Sequence, residues 1–266
     1  MKTQTVIIAL TAMLFATVAF ADHNERDELG RKHGHWTEEN VVDEGTKEGR
    51  YVNGNPTGHW VYRYADGHVQ EGPIVDGKRH GHWVLRFADG DVYEGPYVAG
   101  KKHGDWVERY ADGDVYEGPY VDGEEHGHWV LRGADGGVQE GHFVDGKRHG
   151  HWVLRGAGGT VAEGLYVDGK QTDHWVWRYA DGGVHEGPML YNKRHGKWIM
   201  RHANGNVSEG EFVAGKRYGH WVLRFANGIV AEGPYVDGKE HGQWIVRGPD
   251  GTEKKVNWRN GEIVDE

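Results

Sequence analysis

The chain has 266 residues, no cysteine, 44 glycines, 12 tryptophans and a formal charge of −10. The missing cysteine excludes disulfides and a lipid-modified cysteine anchor. The acid excess excludes a nucleic-acid ligand, whose phosphates need a basic face. Glycine far exceeds its usual share of about 7%, and the hydrophobic fraction is only 37%. That combination predicts thin sheet structure with many turns rather than one thick core.

The first 21 residues, MKTQTVIIALTAMLFATVAFA, carry one cation, Lys2, then an apolar run from Val6 to Phe20 and the sequence Ala19-Phe20-Ala21. This is the pattern of a cleaved secretory signal peptide. An uncleaved membrane anchor is the competing reading, and the run falls short of the roughly 20 residues a span needs. We therefore expect a signal peptide at 1–21, a mature chain from Asp22, and a periplasmic or secreted location. Residues 22–34 form a polar N-terminal segment, expected to be loose at Asp22 to Leu29.

From there the chain repeats. Trp60, Trp83, Trp106, Trp129, Trp152, Trp175, Trp198, Trp221 and Trp244 are 23 residues apart, and Trp36 stands 24 before Trp60. Glu-Gly pairs keep the same period, from Glu48-Gly49 to Glu232-Gly233. A fixed period of this size marks a repeat architecture. One unit, His82 to Gly104, reads HWVLRFADGDVYEGPYVAGKKHG. HWVLRF and DVYEGPYV are strand candidates; Ala88-Asp89-Gly90 is a turn in which Gly90 supplies positive φ. Each unit is thus a β-hairpin, joined to the next by a second turn.

Strand parity sets which side chains share a face. A three-residue loop at Ala88-Asp89-Gly90 places Trp83 opposite Gly95 and Leu85 opposite Tyr93. Arg86 and Glu94 then fall on the other face as diagonal neighbours able to form a weak ion pair. The second loop must be even, and four residues, Gly100 to His103, keep Tyr97 on the side of Trp106. All the tryptophans then share one face, with Gly95 opposite Trp83 offering bare backbone to the indole. One hairpin alone is marginal, but stacked units bury each other's faces. The array is expected to span 35–266, with atypical capping repeats at 35–58, which lacks the Asp-Gly turn, and at 244–266, which loses Glu-Gly.

These units resemble MORN repeats. Tyr93-Glu94-Gly95-Pro96-Tyr97 followed by Gly100-Lys101-Lys102-His103-Gly104 matches that family's aromatic-x-Gly-x-aromatic core and Gly-x-x-x-Gly turn, as does Tyr116-Glu117-Gly118-Pro119-Tyr120. Gly81-His82-Trp83 has Gly-x-Trp where the usual motif has Gly-x-Gly, which is closer to the bacterial MORN-variant repeat. The resemblance implies a scaffold for protein contacts. Some such arrays are linked to membrane lipid, and others are appended to enzymes; here the repeats use the whole mature chain.

Three chemistries compete with that reading. His-x-His pairs occur at His33/His35, His80/His82, His126/His128 and His149/His151; in an extended segment each pair would point its imidazoles the same way, which makes His80, His82, His126, His128, His149 and His151 candidate ligands for Zn²⁺, Cu²⁺ or Ni²⁺. The same site one repeat later lies two strands away, roughly 9–10 Å, which leaves four-ligand sites incomplete. Asp76, Asp122, Asp145, Asp168 and Asp237 each precede a turn glycine and fit turn chemistry. A row of exposed aromatics stacks on sugars, so a glycan- or cell-wall-binding face is the third. No nucleophile elbow or phosphate loop is present, and a nearly uniform repeat lacks the asymmetry catalysis needs.

The expected fold is all-β: an elongated single antiparallel meander sheet of about ten 23-residue β-hairpin repeats, roughly twenty strands and about 95 Å long at ~4.8 Å per strand. The expected function is a non-catalytic, cofactor-free scaffold for a protein or cell-envelope partner, with lipid or glycan contact and end-to-end self-association as further expectations. The alternatives are the glycan-binding module and a His-rich metal-binding protein.

Overall fold

A computed structural model describes residues 23–40 and 45–264. The proposed signal peptide at 1–21 lies outside the described residues, as does the 41–44 part of the first capping repeat. The described residues form 27 strands in one open antiparallel sheet without a helix. The count exceeds twenty because a bulge splits several strands in two, as in Lys101–Lys102 and Gly104–Arg109.

The hairpin register is the one parity requires. Trp83 faces Gly95, Leu85 faces Tyr93 and Arg86 faces Val92. Phe87 N–H bonds to Asp91 O, and Gly90 N–H to Phe87 O, closing a type I turn with Gly90 at φ 103. Asp91 Oδ1 then accepts the N–H of Ala111, which ties one unit's turn to the next.

The second connection differs from the expected four-residue loop. Val98 pairs with Lys101, so the loop is only Ala99-Gly100, at φ 50 and 90, the mirror-image turn that matches strand twist. The remaining even offset is absorbed further along: Tyr97 pairs with Lys102, but Glu94 pairs with Val107. Two extra residues are bulged out around Gly104, at φ 77. Parity survives because two residues, like four, leave the faces unchanged.

The bulge is what seats the indole. Pro96 has no N–H, and its carbonyl, freed from the regular ladder, accepts both His103 N–H (2.9 Å) and the Trp106 indole N–H (2.9 Å). The ring lies on Gly95, where an added Cβ would stand 2.4 Å from it. The glycine thus serves the tryptophan of the following unit, not Trp83 opposite it as expected. Glycines flank Trp152 on both sides, Gly141 and Gly164, and its ring leans to the earlier one.

The core is a chain of rings running along the array. Trp83, Tyr97, Trp106, Tyr120 and Trp129 alternate in edge-to-face contacts of 5.2–6.1 Å. Where Ile74 replaces the linking ring, Tyr62 stacks between Trp60 and Trp83 instead; where Met189 replaces it, Trp177 joins Trp175 to Trp198 at 5.4 Å each. A row of cations roofs the chain: Arg79, Lys102, Arg148, Arg194 and Arg217 lie 4.3–4.6 Å over the indoles four residues on. Trp60 through Trp221 are only 0–1% exposed; Pro56, Glu125 and Gln171 take the cation's place before Trp60, Trp129 and Trp175. Each buried indole contributes about 2–3 kcal/mol.

The ends close differently. Residues from His23 on are not loose. Glu25–Arg26 folds back on Lys32–His33, and Asp27 accepts the backbone N–H groups of Leu29 and Arg31. Among the described residues no unit precedes Trp36, and its indole N–H finds Glu25 O and His33 O. At the other end Val256, not glycine, faces Trp244, and Glu262–Val264 covers part of the last edge.

Candidate functional site

The two faces of the sheet offer different chemistry. The nine tryptophans of the repeat, Trp60, Trp83, Trp106, Trp129, Trp152, Trp175, Trp198, Trp221 and Trp244, are all buried. They present no open platform on which a sugar ring could stack. The face opposite is exposed and regular. From Glu48–Arg63 to Glu232–Arg247, the Glu of one unit pairs with the Arg of the next, as in Glu94–Arg109 at 2.5 Å and Glu140–Arg155 at 2.6 Å. The expected partner of Glu94 within its own hairpin was Arg86. Both arginines stand opposite Val92, but their diagonals to Glu94 slant in opposite senses, and a sheet of one twist hand shortens only one. Arg86 pairs instead with Glu71. Hydrogen bonding from Arg155, Arg224 and Arg247 holds Glu140, Glu209 and Glu232 below the usual carboxylate range.

Beside the ion pairs runs a row of apolar side chains next to the two-residue turns: Val52, Val75, Val98, Val121, Val144, Val167, Leu190, Val213 and Val236, each 38–47% exposed. At one place the row thickens. The turn after Leu190 is Tyr191-Asn192, with Tyr191 standing out at 66% exposure. Leu190, Tyr191, Lys193, His195, Val213 and Ala214 line a hollow of about 360 Å³ there. Tyr218 is exposed in the following unit.

The histidine pairs do not stand as the extended-strand argument requires. Gly81, Gly127 and Gly150, between His80/His82, His126/His128 and His149/His151, have φ of 75, 81 and 72, so the backbone turns inside each pair. The extended geometry assumed for each pair is therefore not the one the backbone adopts. His151 is separated from His149 by the turn at Gly150 and stands exposed opposite Leu165, with no histidine across from it. His82 stands opposite Pro96 in the same way. The backbone N–H of His80 is held by Pro73 O, and His126 is drawn to Asp145 (3.6 Å). His128 and His149 have a histidine neighbour across strands, both standing opposite His142. The turn aspartates Asp76, Asp122, Asp145, Asp168 and Asp237 sit at φ 48–52, in the left-handed position of their turns.

Two irregularities on the aromatic face escaped the repeat-based reading. Glu108, where the other full units carry Tyr, Leu, Trp, Met or Val and the first capping repeat carries Glu38, is buried, with Lys102 at 2.6 Å and hydroxyls of Tyr120 and Tyr110 donating at 2.9 and 3.2 Å. Burial, then the charge of Glu108, pushes both hydroxyls and the Glu125 carboxyl upward. Its acceptor capacity is spent internally, so the carboxylate is a packing element. Further on, Tyr179, Asp181, Gly183, His185, His202, Ala203 and Asn204 line an open hollow of about 510 Å³. The His185 and His202 rings are 5.0 Å apart, and burial with the neighbouring imidazole pushes His185 down to about 4. Both features were visible as departures from the repeat once its columns are compared.

No family model and no curated protein matches the chain. Among solved structures, it is similar to the TCP10 domain of Danio rerio CPAP in complex with a peptide of Danio rerio STIL, at 12% identity and TM-score 0.41, over 87% of this chain and 98% of that one. The SAS-4 (dCPAP) TCP domain of Drosophila melanogaster, in complex with a proline-rich motif of Ana2, is similar at 18% identity and TM-score 0.34, over 65% of this chain and 87% of that one.

Proposed function

We propose that the chain is an exported, non-catalytic scaffold of MORN-variant type that holds a protein or cell-envelope partner on its exposed face. The observation that supports this is the division of labour between faces. The aromatic face spends its side chains on its own packing, whereas the other presents apolar side chains beside internally neutralised charges. Such a face offers many equivalent contacts, so affinity grows with the number of units engaged. Leu190 and Tyr191, with their hollow, are the place where one side chain of a partner would be anchored. Export rests on the leader at 1–21 and is tested by fractionation and N-terminal sequencing of the mature chain.

The binding reading is tested by retention of envelope proteins on the immobilised chain, beside a variant carrying Val167→Glu, Tyr191→Ser and Val213→Glu. A partner held by the wild type and lost from the variant supports the face. Equal retention by both moves the site elsewhere.

A further inference from the structure

Position 142 departs from the rest of the exposed face. Pro73, Pro96, Pro119, Pro188 and Pro234 hold the equivalent place in five other units. His142 stands directly opposite His128 on one neighbouring strand and directly opposite His149 on the other. Phe143 and Arg148, adjacent to them, face the aromatic side, since Phe143 is in the core and Arg148 lies over Trp152. Alternation therefore puts His142 and His149 on the open face, with His128 across from them. All three are exposed.

The pairing brings the side chains close. Gly133 N–H bonds to Gly137 O at the turn. Ladder bonds recur at every second residue, so Trp129/Gly141 is a bonded pair and His128/His142 falls between bonds. Side chains approach most closely in such pairs. The two ring centres are 5.4 Å apart, and an ion bound at ~2.1 Å to one nitrogen of each ring holds ring centres roughly 5 Å apart. His149 flanks His142 from the far strand, one strand spacing of roughly 4.8 Å away. Of the nearby carboxylates, Glu140 is paired with Arg155.

We propose that His128, His142 and His149 together bind one divalent transition-metal ion of the copper, nickel or zinc class, with His142 as the ligand that joins the other two. Equivalent histidines in neighbouring repeats are two strands apart, and a histidine on the strand between removes that gap. The chain supplies its own controls, because His59/His80, His82/His103 and His220/His241 flank a proline in the same arrangement. Among the described residues no three such side chains already stand around one point; the ion gathers them by rotation of exposed rings. Imidazole ligands suit these ions, and an all-imidazole set disfavours calcium and magnesium.

The test is calorimetric titration of the tag-free chain with NiCl₂ and with ZnCl₂. One ion per chain is expected. His142→Pro, which installs the residue of five sister units, should lower affinity at least 10-fold with an unchanged circular dichroism spectrum. Pro96→His should raise the stoichiometry from one ion to two, because it places a histidine between His82 and His103. Binding that survives His142→Pro, or a stoichiometry unmoved by Pro96→His, overturns the proposal.

Discussion

The two faces of this sheet are built from the same strands yet are held by opposite means. On one, indoles, phenols and cations close over one another until almost nothing is exposed. On the other, Glu–Arg pairs and valines stand in rows in open solvent. In this single-layer array the packing that gives stability is therefore separate from the chemistry of the open face. Hydrophobic burial is confined to one side, so the other is free to vary at little cost.

Substitutions should respect that division. Trp152→Ala removes a fully buried ring that links Phe143 to Tyr166 and should cost about 3–5 kcal/mol in chemical denaturation. Gly141→Ala should cost about 1–3 kcal/mol, because its Cβ would meet the Trp152 ring at 2.4 Å and an indole pinned in its bulge cannot move aside. A smaller effect is expected at His185. Unfolded, its imidazole takes a proton near 6.5; folded, near 4. Unfolding therefore takes up a proton between those values, and stability should fall as pH drops through that window. His185→Gln, the residue at the equivalent Gln70 and Gln139, should flatten this slope in melting temperatures read from pH 7 to 4. The smallest change should come from Arg155→Ala on the open face, about 0.2–1 kcal/mol and weaker still in high salt. Its partner Glu140 is held below the ordinary 4.5, so the pair's contribution is present above that pH and lost as pH falls through the lowered value. If Arg155→Ala costs as much as Trp152→Ala, the separation of faces is wrong.

Much of the hairpin was legible in the residues. An odd loop closed by Gly90 and an even one before Lys101 return an odd period to phase, and Trp83 opposite Gly95 follows by counting. The bulge was not legible, since it depends on the Pro96 carbonyl finding an indole ten residues on. That same bulge replaces the extended segment assumed for His149/His151, because Gly150 turns the chain between the two. Nor was the roof legible: Arg79 and Lys102 look like solvated turn charges until the sheet lays them over a ring. His142 was hidden by the opposite cause. Attention to what repeats passes over the one unit in which proline gives way to histidine.

Period and parity by themselves determined which side chains share a face, because alternation along a strand is a local property of the backbone. Which neighbour each side chain leans on was decided only by the assembled sheet. Trp106 lies on Gly95 and Glu94 reaches Arg109 because twist and bulge make the two flanks of every strand unequal. A repeating sequence places the same partners on both flanks, and only the geometry of the whole ladder chooses between them.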